Sequence, residues 1–206
     1  MIRKIIFASA IAVLAASPTL AADLVVEDPI DYADTTDAGW YLEFLGGAAF
    51  GGILNHNSEG IVDHTHDLST GYALAAVLGY EVVDNLSIEL DGMITSRGID
   101  ESEYFLNTAS LMAGLRYTLE VTDGFSVYAG AAVGGIWSND EMWEGRSSGF
   151  GYQLKVGAAV EVAERVSLVG ELRYQAPFTE LLFSDDPDEG NSFGTAAALV
   201  GIKFGF

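Results

Sequence analysis

The chain has 206 residues, with 9 Lys+Arg set against 30 Asp+Glu and no Cys. Such an acidic balance argues against nucleic acid as a partner, because phosphate binding needs a basic surface, and against docking onto an anionic membrane face. With no disulfide available, stability has to come from a core or a closed hydrogen-bond network. Half of the residues are hydrophobic and 24 are Gly, a combination that suits a chain with charges in its loops and apolar residues facing lipid.

Residues 1–21 read as a secretory signal. Arg3 and Lys4 supply the positive start, residues 5–16 a short apolar run, and Ser17-Pro18-Thr19-Leu20-Ala21-Ala22 a breaker with small residues before a cut after Ala21 or Ala22. The apolar run is too short to span a bilayer as a helix. Removing it leaves about 185 residues, the length of one domain. Residues 22–38 carry Asp23, Glu27, Asp28, Asp31, Asp34 and Asp37 without a base and form an acidic, flexible lead-in.

From residue 39 the period is two. Eight strands are predicted: 39–54, 70–82, 86–97, 105–120, 125–137, 150–162, 166–175 and 193–206, each with one strongly apolar face. Leu86, Ile88, Leu90 and Ile94 alternate with Ser87, Glu89, Asp91 and Thr95. Val200, Ile202, Phe204 and Phe206 alternate with Gly201, Lys203 and Gly205. Tight turns at 83–85, 122–124 and 163–165 alternate with long polar links at about 55–69, 98–104, 139–148 and 178–192. Short turns on one side and long loops on the other predict an all-β, eight-stranded antiparallel up-and-down transmembrane β-barrel over 39–206, with its turns periplasmic and its loops outside. Strands of this length can span a tilted membrane path, and closure gives every backbone group a partner in hydrocarbon. Trp40, Tyr80, Tyr117, Phe125 and Phe206 near the turns, and Tyr72, Phe105, Trp137, Phe150 and Tyr174 near the loops, are the expected aromatic girdles.

With the apolar face outward, the polar face lines the lumen. Its predicted charges are the acids Glu43, Glu89, Asp91 and Glu171 and the bases Arg116, Lys155, Arg173 and Lys203. Buried charges are costly unless paired, and eight strands leave a lumen just wide enough for side chains to fill. The lumen is therefore expected to be a neutral ion-pair core. Arg116 and Lys203 should matter more to stability than Arg146, which falls in a predicted loop.

Other constellations are weaker. His56, His64 and His66 share one link with Asp63 and Asp67 and offer imidazole and carboxylate to a divalent metal. The spacing fixes no geometry, so a solvated loop is the expectation. Asp185-Asp186-Pro187-Asp188-Glu189 with Asn191 lacks the spacing of a calcium loop. The Gly-rich run 130–135 is followed by neither a helix nor a Lys-Ser/Thr and suits close packing in a barrel wall. The Ser–His neighbours, Ser58 with His56 and Ser69 with His66, have no acid placed by strand geometry. No enzyme and no cofactor is expected.

Several of these residues carry a family resemblance. The start Ala21-Ala22-Asp23-Leu24, the acidic lead-in, Gly39-Trp40-Tyr41 opening the first strand, Gly46-Gly47 and Gly51-Gly52 after it, and the end Gly201-Ile202-Lys203-Phe204-Gly205-Phe206 resemble the small outer-membrane β-barrels that include the alphaproteobacterial 25–31 kDa surface proteins and the opacity-type proteins, barrels like the OmpA transmembrane domain. The resemblance implies a bacterial outer-membrane location. It also implies that Ile202, Phe204 and Phe206 act as the assembly signal read by the barrel-insertion machinery. Partners expected on this basis are outer-membrane lipids, that machinery, and host or phage ligands at the outer loops. The function expected is structural support of the envelope with loop-mediated contacts. A narrow porin-like channel for small solutes, an outer-leaflet lipid-modifying enzyme and a soluble secreted β-protein remain as alternatives.

Overall fold

The alternation of apolar and polar residues produces strands throughout. The computed structural model describes residues 39–58, 61–100, 103–140, 145–179, 181–183 and 189–206. The predicted signal and acidic lead-in lie outside the described residues. The described residues form twelve strands: β1 (Trp40–Phe50), β2 (Ile53–Ser58), β3 (Ile61–Asp67), β4 (Gly71–Val83), β5 (Leu86–Gly98), β6 (Phe105–Thr122), β7 (Phe125–Asp140), β8 (Gly145–Ala163), β9 (Val166–Pro177), β10 (Leu181–Phe183), β11 (Glu189–Ser192) and β12 (Thr195–Gly205). Eight of them, β1, β4, β5, β6, β7, β8, β9 and β12, form the wall. Each pairs antiparallel with the next, and β12 returns to β1, so the barrel closes.

Facing is set by register. On β5, Ser87, Glu89, Asp91, Met93, Thr95 and Arg97 are buried, whereas Ile88, Leu90 and Ile94 are exposed. The same alternation exposes Leu111, Leu115, Leu154, Val156, Leu168, Leu172, Val200 and Ile202 on neighbouring strands. A continuous apolar outer surface of this kind is foreign to a soluble monomer and is what a wall in hydrocarbon requires. Aromatics sit toward both ends of that surface. Trp40 and Tyr80 are opposite in register with ring centroids 4.8 Å apart. Phe125 departs from the girdle expectation: it is half-buried and lines the turn-side mouth.

The three turns are built alike. Glu81, Glu120 and Glu161 each precede a bulged Val82, Val121 or Val162. The residues with φ near the left-handed region are Asn85 (69°), Gly124 (75°) and Arg165 (63°). Ser87, Ser126 and Ser167 lie opposite the three Glu residues. The carbonyls of Asn85, Gly124 and Arg165 accept N–H groups from Thr118 on β6, Glu161 on β8 and Gly205 on β12, each on the neighbour of the strand that leaves the turn. A bulge followed by a left-handed residue matches the right-handed twist of the flanking strands.

Three of the long links depart from expectation. Residues 55–69 and 178–192 were expected as loops; β2, β3, β10 and β11 occupy much of both. Wall strand β1 breaks at Gly51 and Gly52, which adopt φ of 71° and 99°, values that glycine takes without a Cβ penalty. Beyond the break, β2 pairs with β3 and β11, β11 with β10, and β10 with β8. The wall thus continues outward as a rim. The expected link at 139–148 also shortens, because β7 runs to Asp140 and β8 begins at Gly145. Arg146 therefore belongs to a strand and not to a loop. The physical reason is common to all three. Above the hydrocarbon both strand faces can be polar, so the period-two signal fades while the backbone still needs ladder partners.

Candidate functional site

The lumen is built in two levels. In the turn-side half, the inward residues of β1, β5, β6, β8 and β9 bring Glu43, Glu89, Asp91, Arg116, Lys155, Glu171 and Arg173 together, all at most 4% exposed. Arg116 Nη1 lies 2.5 Å from Glu43 Oε1 and 3.4 Å from Glu89 Oε1. Lys155 Nζ is 2.7 Å from Glu89, 3.1 Å from Asp91 and 4.0 Å from Glu171. Arg173 meets Asp91 at 2.7 Å and Glu171 at 2.6 Å. Each acid is shared or flanked by a base, which offsets the desolvation of an ion in a low-dielectric interior. Lys203 differs from the others. It is half-buried, has no ion pair among the described residues, and holds Nζ 4.4 Å from the Tyr41 ring centroid. It sits at the turn-side mouth, in a cavity of about 230 Å³ that also holds Glu81, Glu120 and Glu161.

Two inward tyrosines complete the network. Tyr41 donates its hydroxyl to Glu89 at 2.7 Å and Tyr128 donates to Glu171 at 2.8 Å. The Arg116 guanidinium carbon is 3.5 Å from the Tyr128 ring centroid and 5.4 Å from that of Tyr41. Its Nε and Nη2 find no hydrogen-bond acceptor, and the aromatic faces take that place through cation–π attraction. Room for both rings comes from the opposing strands. Gly79 is the register partner of Tyr41 and Gly157 that of Tyr128, and a Cβ at either glycine would run into the ring. Gln153 and Gln175 extend the network outward: Gln153 donates to Asp91 at 2.9 Å, and Gln175 donates to Ser110 at 2.9 Å.

The loop-side half combines an apolar cluster with buried hydroxyl pairs, Thr95 with Thr108 and Ser138 with Ser147. Leu54, Leu68, Ile99, Leu106, Met112, Ala132, Ile136, Leu181 and Phe193 form one buried cluster, a plug across the outer mouth. Within it lies Arg97, 0% exposed. Its Nη1 donates to the carbonyls of Gly51 at 2.6 Å and Gly194 at 3.3 Å, and Nη2 donates to Thr195 Oγ1 at 2.8 Å. Among the described residues it has no carboxylate partner, and Phe193 lies 6.0 Å away. Arg97 thus ties the break in β1 to the gap between β11 and β12.

Sequence reasoning did not place Arg97, Tyr41, Tyr128, Gln153 or Gln175 in the lumen network, nor did it find the plug. The strand phase contains a signal for Arg97, since it is two residues beyond Thr95 on the inward face. The cross-strand Tyr–Gly pairs need the register, which no single strand reveals. Of the weaker constellations, the Ser69 hydroxyl donates to Asp100, and no group of three or more metal-ligating residues gathers among the described residues. The side chains of His56, Ser58 and His64, together with the 185–188 acidic stretch, lie outside the described residues. Ile202, Phe204 and Phe206 point outward on or just past β12.

A closed eight-stranded wall, an apolar exterior and turns at one end are now in place. Residues 7–205 match the outer membrane protein beta-barrel domain family. The chain belongs to that family. As a small outer-membrane β-barrel it resides in the bacterial outer membrane. No curated protein sequence matches it. Among solved structures, the barrel is similar to neisserial surface protein A, at 14% identity and a TM-score of 0.58, covering 81% of this chain and 97% of that one. It is also similar to the outer membrane protein OprG from Pseudomonas aeruginosa, at 14% identity and a TM-score of 0.53, covering 82% and 96%. At these identities the likeness describes the fold of the outer-membrane barrel.

Proposed function

We propose that this outer-membrane barrel is a structural surface protein that supports the envelope and presents its rim to partners outside the cell, with neither a conducting nor a catalytic role. The observation that carries this reading is the double closure of the lumen. An ion-paired layer from Glu43 to Arg173 fills the inner half, and the apolar plug around Ile99 and Leu106 fills the outer half. Hydrated ions or solutes would have to displace both. Porins that conduct use far wider barrels. The rim strands β2, β3, β10 and β11 lie where host or phage ligands would meet the protein, and Ile202, Phe204 and Phe206 are offered to the insertion machinery during assembly. Planar-bilayer recordings of the refolded protein test the reading. No unitary current above that of the bare bilayer is expected, and stable, reproducible unitary currents would transfer support to a narrow channel.

A further inference from the structure

The distribution of positive charge singles out one place on the outer surface. Among the described Lys and Arg residues, Arg97, Arg116, Lys155 and Arg173 are buried inside the barrel, Lys203 lines the inner mouth, and Arg165 sits in a turn. Arg146 alone is exposed on the wall at the loop end, and it has no ion pair among the described residues. In register it lies beside Asn139, and Asn139 beside Asn107. This polar row marks a boundary. The outward residues of β5 from Leu86 to Ile94 are apolar apart from Gly92, whereas the next, Ser96, is polar and is the register partner of Asn107. A path of about 9–11 tilted residues crosses the hydrocarbon, which puts the row at its outer edge.

Directly beneath the row, toward the membrane centre, Ala109 stands between Ile94 and Trp137. The small side chain between two large ones leaves a groove of about 440 Å³ that reaches from Ile94 and Trp137 up to Arg146. The groove has an apolar floor, amides above it and, at its upper end, one guanidinium with no ion pair among the described residues. A guanidinium fork matches a phosphate better than it matches any neutral group. The strongly acidic chain otherwise repels anions, so attraction to an anionic lipid has to be local.

We propose that this groove binds a phosphorylated glycolipid of the outer leaflet. The phosphate pairs with Arg146, sugar hydroxyls meet Asn107 and Asn139, and one acyl chain lies over Ala109 between Ile94 and Trp137. The site stands on the lipid-facing surface and is independent of whether the lumen conducts.

The test is lipid retention by the folded full chain in detergent micelles, read by native mass spectrometry. The probes are bisphosphorylated lipid A, its dephosphorylated analogue and phosphatidylglycerol, titrated against wild type, Arg146→Gln and Ala109→Leu. Both substitutions lie on the outward face, and an unchanged heat-modifiable gel shift verifies folding. Wild type should hold the phosphorylated lipid A about tenfold more tightly than the dephosphorylated form, the size of one charge-assisted contact. Arg146→Gln should erase that difference, and Ala109→Leu should weaken both forms. Equal retention by wild type and Arg146→Gln overturns the proposal. So does retention of phosphatidylglycerol as strong as that of lipid A, which would make the groove a general anionic-lipid contact.

Discussion

The wall and the rim are the same ladder in two solvents. In the wall, a residue faces either hydrocarbon or the lumen, so β5 alternates Ile88, Leu90 and Ile94 with Glu89, Asp91 and Thr95. In the rim, β2 and β3 keep antiparallel pairing with residues such as Asn55 and Thr65, register partners whose side chains hydrogen-bond at 3.2 Å. The two regions also anchor their buried cations differently. Arg116, deep in the wall, is matched by two carboxylates and two aromatic faces. Arg97, where the rim begins, is matched by backbone carbonyls and one hydroxyl. Charge balances charge in the first case. In the second, a cation holds strand ends together, and its three hydrogen bonds replace water without neutralising it.

That contrast can be broken by substitution, starting in the wall. Arg116→Ala leaves Glu43 buried and unpaired and should cost about 3–5 kcal/mol, the usual result of orphaning one member of a buried pair. Urea unfolding of the micelle-bound barrel measures it. Combining Arg116→Met with Glu43→Gln should recover much of the loss, and no recovery would mean that the tyrosine sandwich, and not the ion pair, dominates. Arg97→Met comes next. Losing three hydrogen bonds to backbone and hydroxyl should cost about 1–3 kcal/mol, concentrated in the rim. Limited proteolysis should then cut the segments around β2 and β11 faster while the wall's unfolding midpoint moves little. A midpoint shift as large as that of Arg116→Ala would erase the distinction between the regions. The smallest effects belong to Lys203 and Arg146, which have no ion pair among the described residues. Lys203→Ala should lose about 0.5–1 kcal/mol of cation–π contact with Tyr41, and Arg146→Ala should stay within about 0.5 kcal/mol. Heat-modifiability midpoints of the two variants within a few degrees of wild type are the expected outcome.

The wall was legible in the sequence because hydrocarbon is an unforgiving solvent. Every outward position from Leu86 to Ile94 has to be apolar or small, and that constraint writes a period of two. The inward charges were legible for the same reason, since the complementary phase of β5 and β9 carries Glu89, Asp91, Glu171 and Arg173. What could not be read was anything set by two strands at once. That Tyr41 faces Gly79, or that Tyr128 faces Gly157, depends on register, and register is fixed by turns and bulges rather than by any one strand's pattern. Most of the rim was read as loop because β2, β3 and β11 lie above the hydrocarbon, where polar residues cost nothing on either face, and because β10 is only three residues long. Arg97 belongs to both regions. Its phase was visible, but its acceptors come from Gly51, Gly194 and Thr195, residues about 46 to 98 positions away along the chain.

The three like turns have a consequence for how the barrel could be cut and rejoined. Each consists of a Glu, a bulged Val, a left-handed residue and a Ser, and in each the left-handed residue's carbonyl bonds to the neighbour of the strand that follows. At the seam, Phe206 N–H donates to Trp40 O at 2.9 Å and Glu81 N–H donates to Gly39 O at 2.9 Å, so the first and last wall strands meet as neighbours do elsewhere. The barrel is thus a ring of four hairpins in which one connection happens to be open. A permuted chain joined across Trp40 and Phe206 and opened at any of the other three turns would keep every ladder pair of the wall. Only the identity of the terminal strand would change.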